Sequence, residues 1–304
     1  MTIGHGKSLH LNNFKNIFDE EKILLFKDGT TIFMINVFAQ TDVGRVRSGN
    51  EDRFLVVDII SDAQDKLPDV QQYAVDDQNL VLMVSDGMGG AAAGEIASLL
   101  AVQTVKGVLN HGNTMDREDF SNQLESALQT ANQIITQYAA KHPRTYGMGA
   151  TATVAGILRN KVVIGQIGDS RAYLIHENVI EQLTRDQSYV NQLVEAGKIT
   201  EEEAEVHPRR NIILQALGNQ EFLDVALTNT TLQHGDFLLL CSDGLSGMLR
   251  KEEILEIVQS SANVKEACQG LVNLANERGG QDNITVILAQ YQCAASSPED
   301  KKKA

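Results

Sequence analysis

The stretch VSDGMGGAAAGEIAS, residues 84–98, follows the apolar run NLVLM, and its glycines fit two different chemistries. Gly87, Gly89 and Ala92 match G-x-G-x-x-A between a strand and a helix, the turn that cradles a dinucleotide pyrophosphate. Asp86, however, stands directly before the first glycine and would set a carboxylate against that anion. The dinucleotide turn also needs a second parallel strand ending in an acid about twenty residues further on. Here the helical pattern runs instead into NHGNTMDRED, residues 110–119. The loop is better read as one that presents a carboxylate, and a closely approaching backbone, to a cation.

Moving outward, the same pattern recurs. LVLMVSDGMGG (80–90) has an echo in FLLLCSDGLSG (237–247), so that Asp86 and Asp243 are both delivered where an apolar strand leaves the core. Three further acidic sites abut strand-like runs: GDSR (168–171) after VVIGQI, QDN (281–283) before ITVIL, and NED (50–52) beside RFLVV. A single Asp-Gly is ordinarily a turn. Five acidic sites at strand ends would repel one another unless a cation neutralised them. Hard oxygen ligands without His or Cys point to Mg²⁺ or Mn²⁺, and glycine lets a carbonyl oxygen come close to the ion.

The rest of the chain supplies a frame. Residues 32–40, 53–60 and 79–85 read as strands, as do ATATVAGIL, KVVIGQIG, RAYLIH, DFLLLCSDG and NITVILAQY, with a tight hairpin at Arg159-Asn160. Helical spacing covers 94–110, with Ile96, Leu99, Leu100, Val102 and Val105 on one face, and 117–141, with Phe120, Leu124, Leu128, Ile134 and Ile135. Residues 187–210 read as short helices and loops, and 251–276 as two helices. Strands in adjacent runs and helices in pairs predict an α+β architecture with antiparallel sheets and outer helices. No composition break divides the 304 residues, so one domain is expected.

Composition excludes several classes. A net charge of −14 argues against a general nucleic-acid binder. Cys241, Cys268 and Cys293 form neither a C-x-x-C pair nor a disulfide framework, which fits a reducing cytoplasm. Apolar runs such as FLLLC are too short to cross a bilayer, and the amino terminus lacks a signal peptide's apolar core.

RSGNED, SDGMGG, GMGATA, GDSRAYL, CSDGL and GGQDNITVI occur in the order seen in metal-dependent Ser/Thr protein phosphatases of type 2C, which the chain resembles over about residues 35–292. DGMGG, with HPRRNIILQALG (207–218), resembles the bacterial branch. The resemblance implies an α-β-β-α sandwich: two central antiparallel sheets flanked by helices. It also implies two tightly bound Mn²⁺ or Mg²⁺ ions. Asp86 would bridge them, the Gly87 carbonyl would complete one shell, and Asp243 and Asp282 would hold the second ion. Glu51 and Asp52 would hold metal-bound waters or a metal directly, and Asp169, with Asp243, a third, looser ion. Arg47 would grip the substrate phosphate while a metal-bridging hydroxide attacks phosphorus. Where many eukaryotic relatives have a histidine general acid, this chain has Met88, which leaves the proton donor unassigned.

Phosphorylated proteins, and a Ser/Thr kinase acting on the same targets, are the partners implied, with no nucleic acid or membrane and a monomeric enzyme. Two alternatives are a phosphoprotein-binding regulator with weak catalysis and a small-phosphoester hydrolase. An intact carboxylate set disfavours the first; the second would share the metal centre. Residues 1–34 read as an extension of unknown role and 293–304 as a disordered tail. His207 reads as a loop histidine with a local hydrogen bond, and Met83, Met148 and Cys241 as core.

Overall fold

The computed structural model describes residues 32–58, 69–75, 79–90, 93–109 and 117–294. Strands β1 (Ile32–Asp42), β2 (Arg53–Asp58), β3 (Gln71–Ala74), β4 (Asn79–Ser85) and β5 (Gly87–Met88) precede helices α1 (Ala93–Leu109) and α2 (Arg117–Lys141). Then come β6 (Gly149–Ala150), β7 (Ala152–Leu158), β8 (Lys161–Ile167), β9 (Arg171–His176), β10 (Val179–Gln182), α3 (Tyr189–Glu195) and α4 (Glu201–Glu205). The chain ends through β11 (Ala226–Thr231), β12 (Phe237–Cys241), α5 (Asp243–Ser246), α6 (Lys251–Ser260), α7 (Val264–Glu277) and β13 (Ile284–Ala294). One sheet runs β10-β9-β12-β13-β1-β3 and the other β11-β8-β7-β4-β2, with β5 and β6 forming a small ladder.

Side-chain alternation explains why the central strands read as unbroken apolar runs. Successive residues of a strand face opposite sides of the sheet. In β4, Leu80, Leu82 and Val84 point into the space between the sheets, where they meet Ile35, Val37, Leu238, Leu240 and Ile287. Val81 and Met83 point the other way, into a core closed by α1 and α2. The first sheet does the same: Leu239, Cys241, Val286 and Leu288 face Ile254, Cys268, Leu271 and Val272 of α6 and α7. Three apolar layers between four structural layers make the α-β-β-α sandwich that the resemblance implied. Met83, Met148 and Cys241 are fully buried in it.

The structure corrects several details. Leu99 is 39% exposed and Ile134 38% exposed, so neither belongs to the buried helix face. A residue adjacent to a buried one is rotated about 100° around the axis, and α1 buries Ala93, Ala97 and Ala101 beside Val102 and Val105 instead. Besides the two-residue β5 and β6, three strands escape sequence reading, β3, β10 and β11, and each of the three lies at a sheet edge. Edge strands have one open side and need no apolar run; β11 is ALTNTT, alternately half-buried and exposed. The Arg159-Asn160 hairpin forms as expected, with Leu158 paired to Lys161 and Arg159 at φ 55°. Cys293 and Ala294 finish β13, not a tail, and residues 32–34 belong to β1. The remainder of the extension and of the tail, with 59–60 and 110, lies outside the described residues.

Candidate metal centre

Each acidic motif sits where a strand meets a loop. Asp86 lies between β4 and β5, and its backbone is held on both sides by Thr151: Asp86 N donates to Thr151 Oγ1 at 2.9 Å, and Thr151 N donates to Asp86 O at 2.8 Å. Asp243 opens α5 directly after β12, and Asp169 turns between β8 and β9. Asp282 precedes β13, and Glu51 and Asp52 precede β2. Asn283 fastens these last two loops together. Its Oδ1 accepts from Glu51 N at 2.8 Å, and its Nδ2 donates to Val43 O and Gly49 O, each at 2.9 Å.

Gly87 shows why a glycine follows the aspartate. A side-chain Cβ there would collide with the main chain of Gly94, in the first turn of α1, and would lie 2.8 Å from Glu51 O. Without it, the α1 terminus, the 47–52 loop and the β4 end close on one another.

The electrostatics are those of crowded acids. Burial is the largest influence on Asp86 and pushes its carboxyl well above the usual range; the charges of Asp52, Asp243, Asp169 and Asp282 add to it. Burial likewise raises Asp169, with Asp243 next in effect, and raises Asp243, with Asp282 next. Asp52 is pushed up to about 7 by burial, against the lowering effect of hydrogen bonds from Thr285 and Ser242. Burial also raises Glu51. Positive charge comes from Arg171, which forks onto Asp186 at 2.7–3.0 Å, and from Arg47, whose Nη2 donates to Asp282 Oδ2 at 2.6 Å.

One observation separates this cluster from an ordinary ion-pair network. Asp52 Oδ1, Asp169 Oδ1 and Asp243 Oδ1 are buried and have no hydrogen-bond partner. A buried polar oxygen left unpaired costs about 1–3 kcal/mol, and more if charged. Three such oxygens among repelling acids form a donor set that suits a hard divalent cation. No three His, Cys, Asp or Glu side chains among the described residues form a ready-made ligand shell. The oxygens available are carboxylates and backbone carbonyls, consistent with ions that retain several waters.

The expected site residues thus divide. Asp52, Asp86, Asp169, Asp243 and Asp282 act on one another electrostatically, and Glu51 joins them through Asp282. Arg47 sits at their exposed edge, paired with an acid instead of standing free. His207 accepts from Arg209 N at 3.1 Å, the local bond expected of it. Thr151, Ser242, Thr285 and Asn283 escaped the sequence reading. Ser242 and Asn283 adjoin an acid in the sequence, and Thr151 and Thr285 are polar residues next to or within apolar strands.

The family model described as "Protein phosphatase 2C" matches residues 61–288. The "Serine/threonine phosphatase stp" of Listeria innocua is 37% identical over 252 residues, 83% of this chain and 94% of that protein. The structure of the S. agalactiae serine/threonine phosphatase superposes with a TM-score of 0.75 at 31% identity, covering 84% of this chain and 99% of that one. The catalytic domain of serine threonine protein phosphatase PstP, in complex with two manganese ions, gives a TM-score of 0.71 at 33% identity, covering 86% and 99%.

Proposed function

The chain belongs to the protein phosphatase 2C family, and on that premise we propose that its buried carboxylate cluster is the catalytic centre. The protein is a metal-dependent serine/threonine protein phosphatase whose substrates are phosphoproteins. The observation that carries the assignment of the centre is the trio of unpartnered oxygens on Asp52, Asp169 and Asp243. The catalytic domain expected over residues 35–292 widens to 32–294, the span from the start of β1 to the end of β13.

Asp86, Asp243 and Asp282, with the Gly87 carbonyl, would hold two Mn²⁺ or Mg²⁺ ions, Glu51 and Asp52 would hold their waters or an ion directly, and Asp169 with Asp243 a third. When bound, such ions act as Lewis acids and lower the pKa of water to near neutrality, so that phosphate ester hydrolysis becomes possible at pH 7. The protein's part is to fix the ligands and to hold the phosphate. Arg47 presents a planar guanidinium, able to take two phosphate oxygens at once. Its present partner, Asp282, shows that it reaches the cluster from the rim. Met88 has no proton to give, so protonation of the departing oxygen falls to another group.

Arg47→Ala should chiefly raise KM for a phosphopeptide, by about tenfold for the loss of roughly 1.5 kcal/mol of charge-assisted hydrogen bonding. Steady-state kinetics that leave both KM and kcat unchanged would make Arg47 an ordinary surface arginine. We further take the opposing enzyme to be a Ser/Thr kinase, the compartment to be the cytoplasm and the enzyme to be monomeric. The free cysteines Cys241, Cys268 and Cys293 suit a reducing compartment. No helix among the described residues is long and apolar enough to cross a membrane.

The reading as a whole is tested by hydrolysis of a phosphothreonine peptide, with Mn²⁺ and with EDTA, for wild type and Asp243→Asn. Turnover that needs the metal and disappears in the variant is expected. Folded, Mn²⁺-loaded wild type without turnover on any phosphopeptide would overturn it.

A further inference from the structure

Asp52 is the most enclosed acid of the cluster, 1% exposed. Its Oδ2 accepts from Ser242 Oγ and from Thr285 Oγ1, each at 2.7 Å, while its Oδ1 has no partner. With Asp52 ionised, the state in which it can face a cation, proton counting fixes the direction of the bonds behind this carboxylate. A hydroxyl carries one proton. Thr285 gives its proton to Asp52, so in its 2.7 Å contact with Thr41 Oγ1 it must accept, and Thr41 must donate. Thr41 Oγ1 in turn accepts from Asn50 Nδ2 at 2.8 Å. Asn50 Oδ1 accepts from Asp52 N at 3.0 Å, which closes the ring. Ser242 Oγ, the second donor, is itself oriented by accepting from Thr285 N at 3.0 Å. The hydroxyl protons of Thr41, Thr285 and Ser242 run toward Oδ2; Ser242 Oγ also has Asn283 O within reach, at the longer distance of 3.3 Å.

We propose that Thr285, Ser242 and Thr41 are positioning residues for cation binding: their one-way hydroxyl chain engages Asp52 Oδ2 and leaves Oδ1 as the single oxygen of Asp52 free to face an ion. This rests on the reading of the carboxylate cluster as a cation site. The reason for two donors on one oxygen is geometric. A carboxylate can rotate about its last bond, and two bonds from paired neighbouring segments, one just after β12 and one at the start of β13, hold it at one angle. Hydrogen bonds that orient a metal's ligands typically carry ten- to a hundred-fold in affinity, roughly. Thr41 has a place in this scheme that no ligand pattern would give it. It lies on the exposed end of β1, where it orients the Thr285 hydroxyl and also holds the Asn50 amide.

The test is Mn²⁺ binding measured by titration calorimetry on the full chain, with melting in EDTA alongside to report the fold. Thr285→Val keeps the shape and removes the hydroxyl; its Kd for Mn²⁺ should rise roughly ten- to a hundred-fold. Thr285→Ser, which restores the donor, should return most of the affinity. Ser242→Ala should weaken binding, and Thr41→Val should weaken it less. Thr41→Val should cost less on top of Thr285→Val than it does alone, because the path through the Thr285 hydroxyl is already cut. Wild-type affinity in Thr285→Val, or Thr285→Ser no better than Thr285→Val, would overturn the inference while leaving the metal centre in place. If Thr285→Val does not fold, Thr41→Val decides: an unchanged Kd overturns the proposal. Wild type that takes up no Mn²⁺ at all would overturn the cation site itself and this inference with it.

Discussion

Asp86→Asn is expected to abolish metal-dependent turnover and, in the EDTA-stripped protein, to raise the melting temperature. Both effects follow from one change. The amide keeps the shape of the carboxylate and removes its charge, while the bonds that hold this position, to Thr151, use the backbone of residue 86 and survive. Burial and the charges of Asp52, Asp243, Asp169 and Asp282 all disfavour an ionised Asp86. A carboxylate whose folded-state pKa is raised destabilises the folded chain once pH exceeds its unfolded value, near 4. The gain in melting temperature should therefore be largest at and above neutrality and should vanish as pH falls toward about 4. Activity moves the other way. On the proposed assignment, losing this anionic ligand removes several kcal/mol of transition-state stabilisation, and about 4 kcal/mol corresponds to about a thousandfold in rate. Wild-type turnover in this variant would remove Asp86 from the centre. A lower melting temperature in EDTA would show that the charge is structural.

Gly87→Ala is expected to cost about 3 kcal/mol or more in urea unfolding, with activity lost as well. An overpacked core usually relaxes by shifting side chains, at about 1–3 kcal/mol. Here the added methyl meets main chain on both sides, Gly94 of α1 and the Glu51 carbonyl, and neither can rotate away. Relief requires α1 to retreat from β4 or the 47–52 loop to lift, and the second movement carries Glu51 and Asp52 with it. Gly107→Ala is the matched control. It lies exposed in the same helix with nothing within 4 Å of the added Cβ, so it should stabilise by about 0.5–1 kcal/mol. If Gly87→Ala unfolds at the wild-type urea midpoint, the close approach at Gly87 has been misread.

The legibility of this protein varied with burial. Strands covered on both faces, such as β4 and β12, announce themselves as unbroken apolar runs, because each successive side chain enters a different core. The edge strands β3, β10 and β11 do not, since half their environment is water. Helix spans were legible from period, but the buried stripe of α1 was misjudged at Leu99 because the stripe runs through the small Ala93, Ala97 and Ala101 beside Val102 and Val105.

The acidic motifs are a local matter. An aspartate placed at the end of an apolar run must emerge where that strand ends, so Asp86, Asp243 and Asp282 could be assigned to strand ends, and the oxygen-only chemistry inferred, from order and spacing alone. Which oxygens remain free is a tertiary matter. Arg47 lies 235 residues from the Asp282 it pairs with, and Thr285 lies 233 from the Asp52 it orients. Hydrogen bonds of that span depend on how two sheets stack and on which hydroxyl holds the single proton between them. No periodicity encodes either. The sequence determined which carboxylates this protein has to offer a cation, and the packing of its sandwich decided that Asp52 Oδ1, Asp169 Oδ1 and Asp243 Oδ1 are the ones left without a partner.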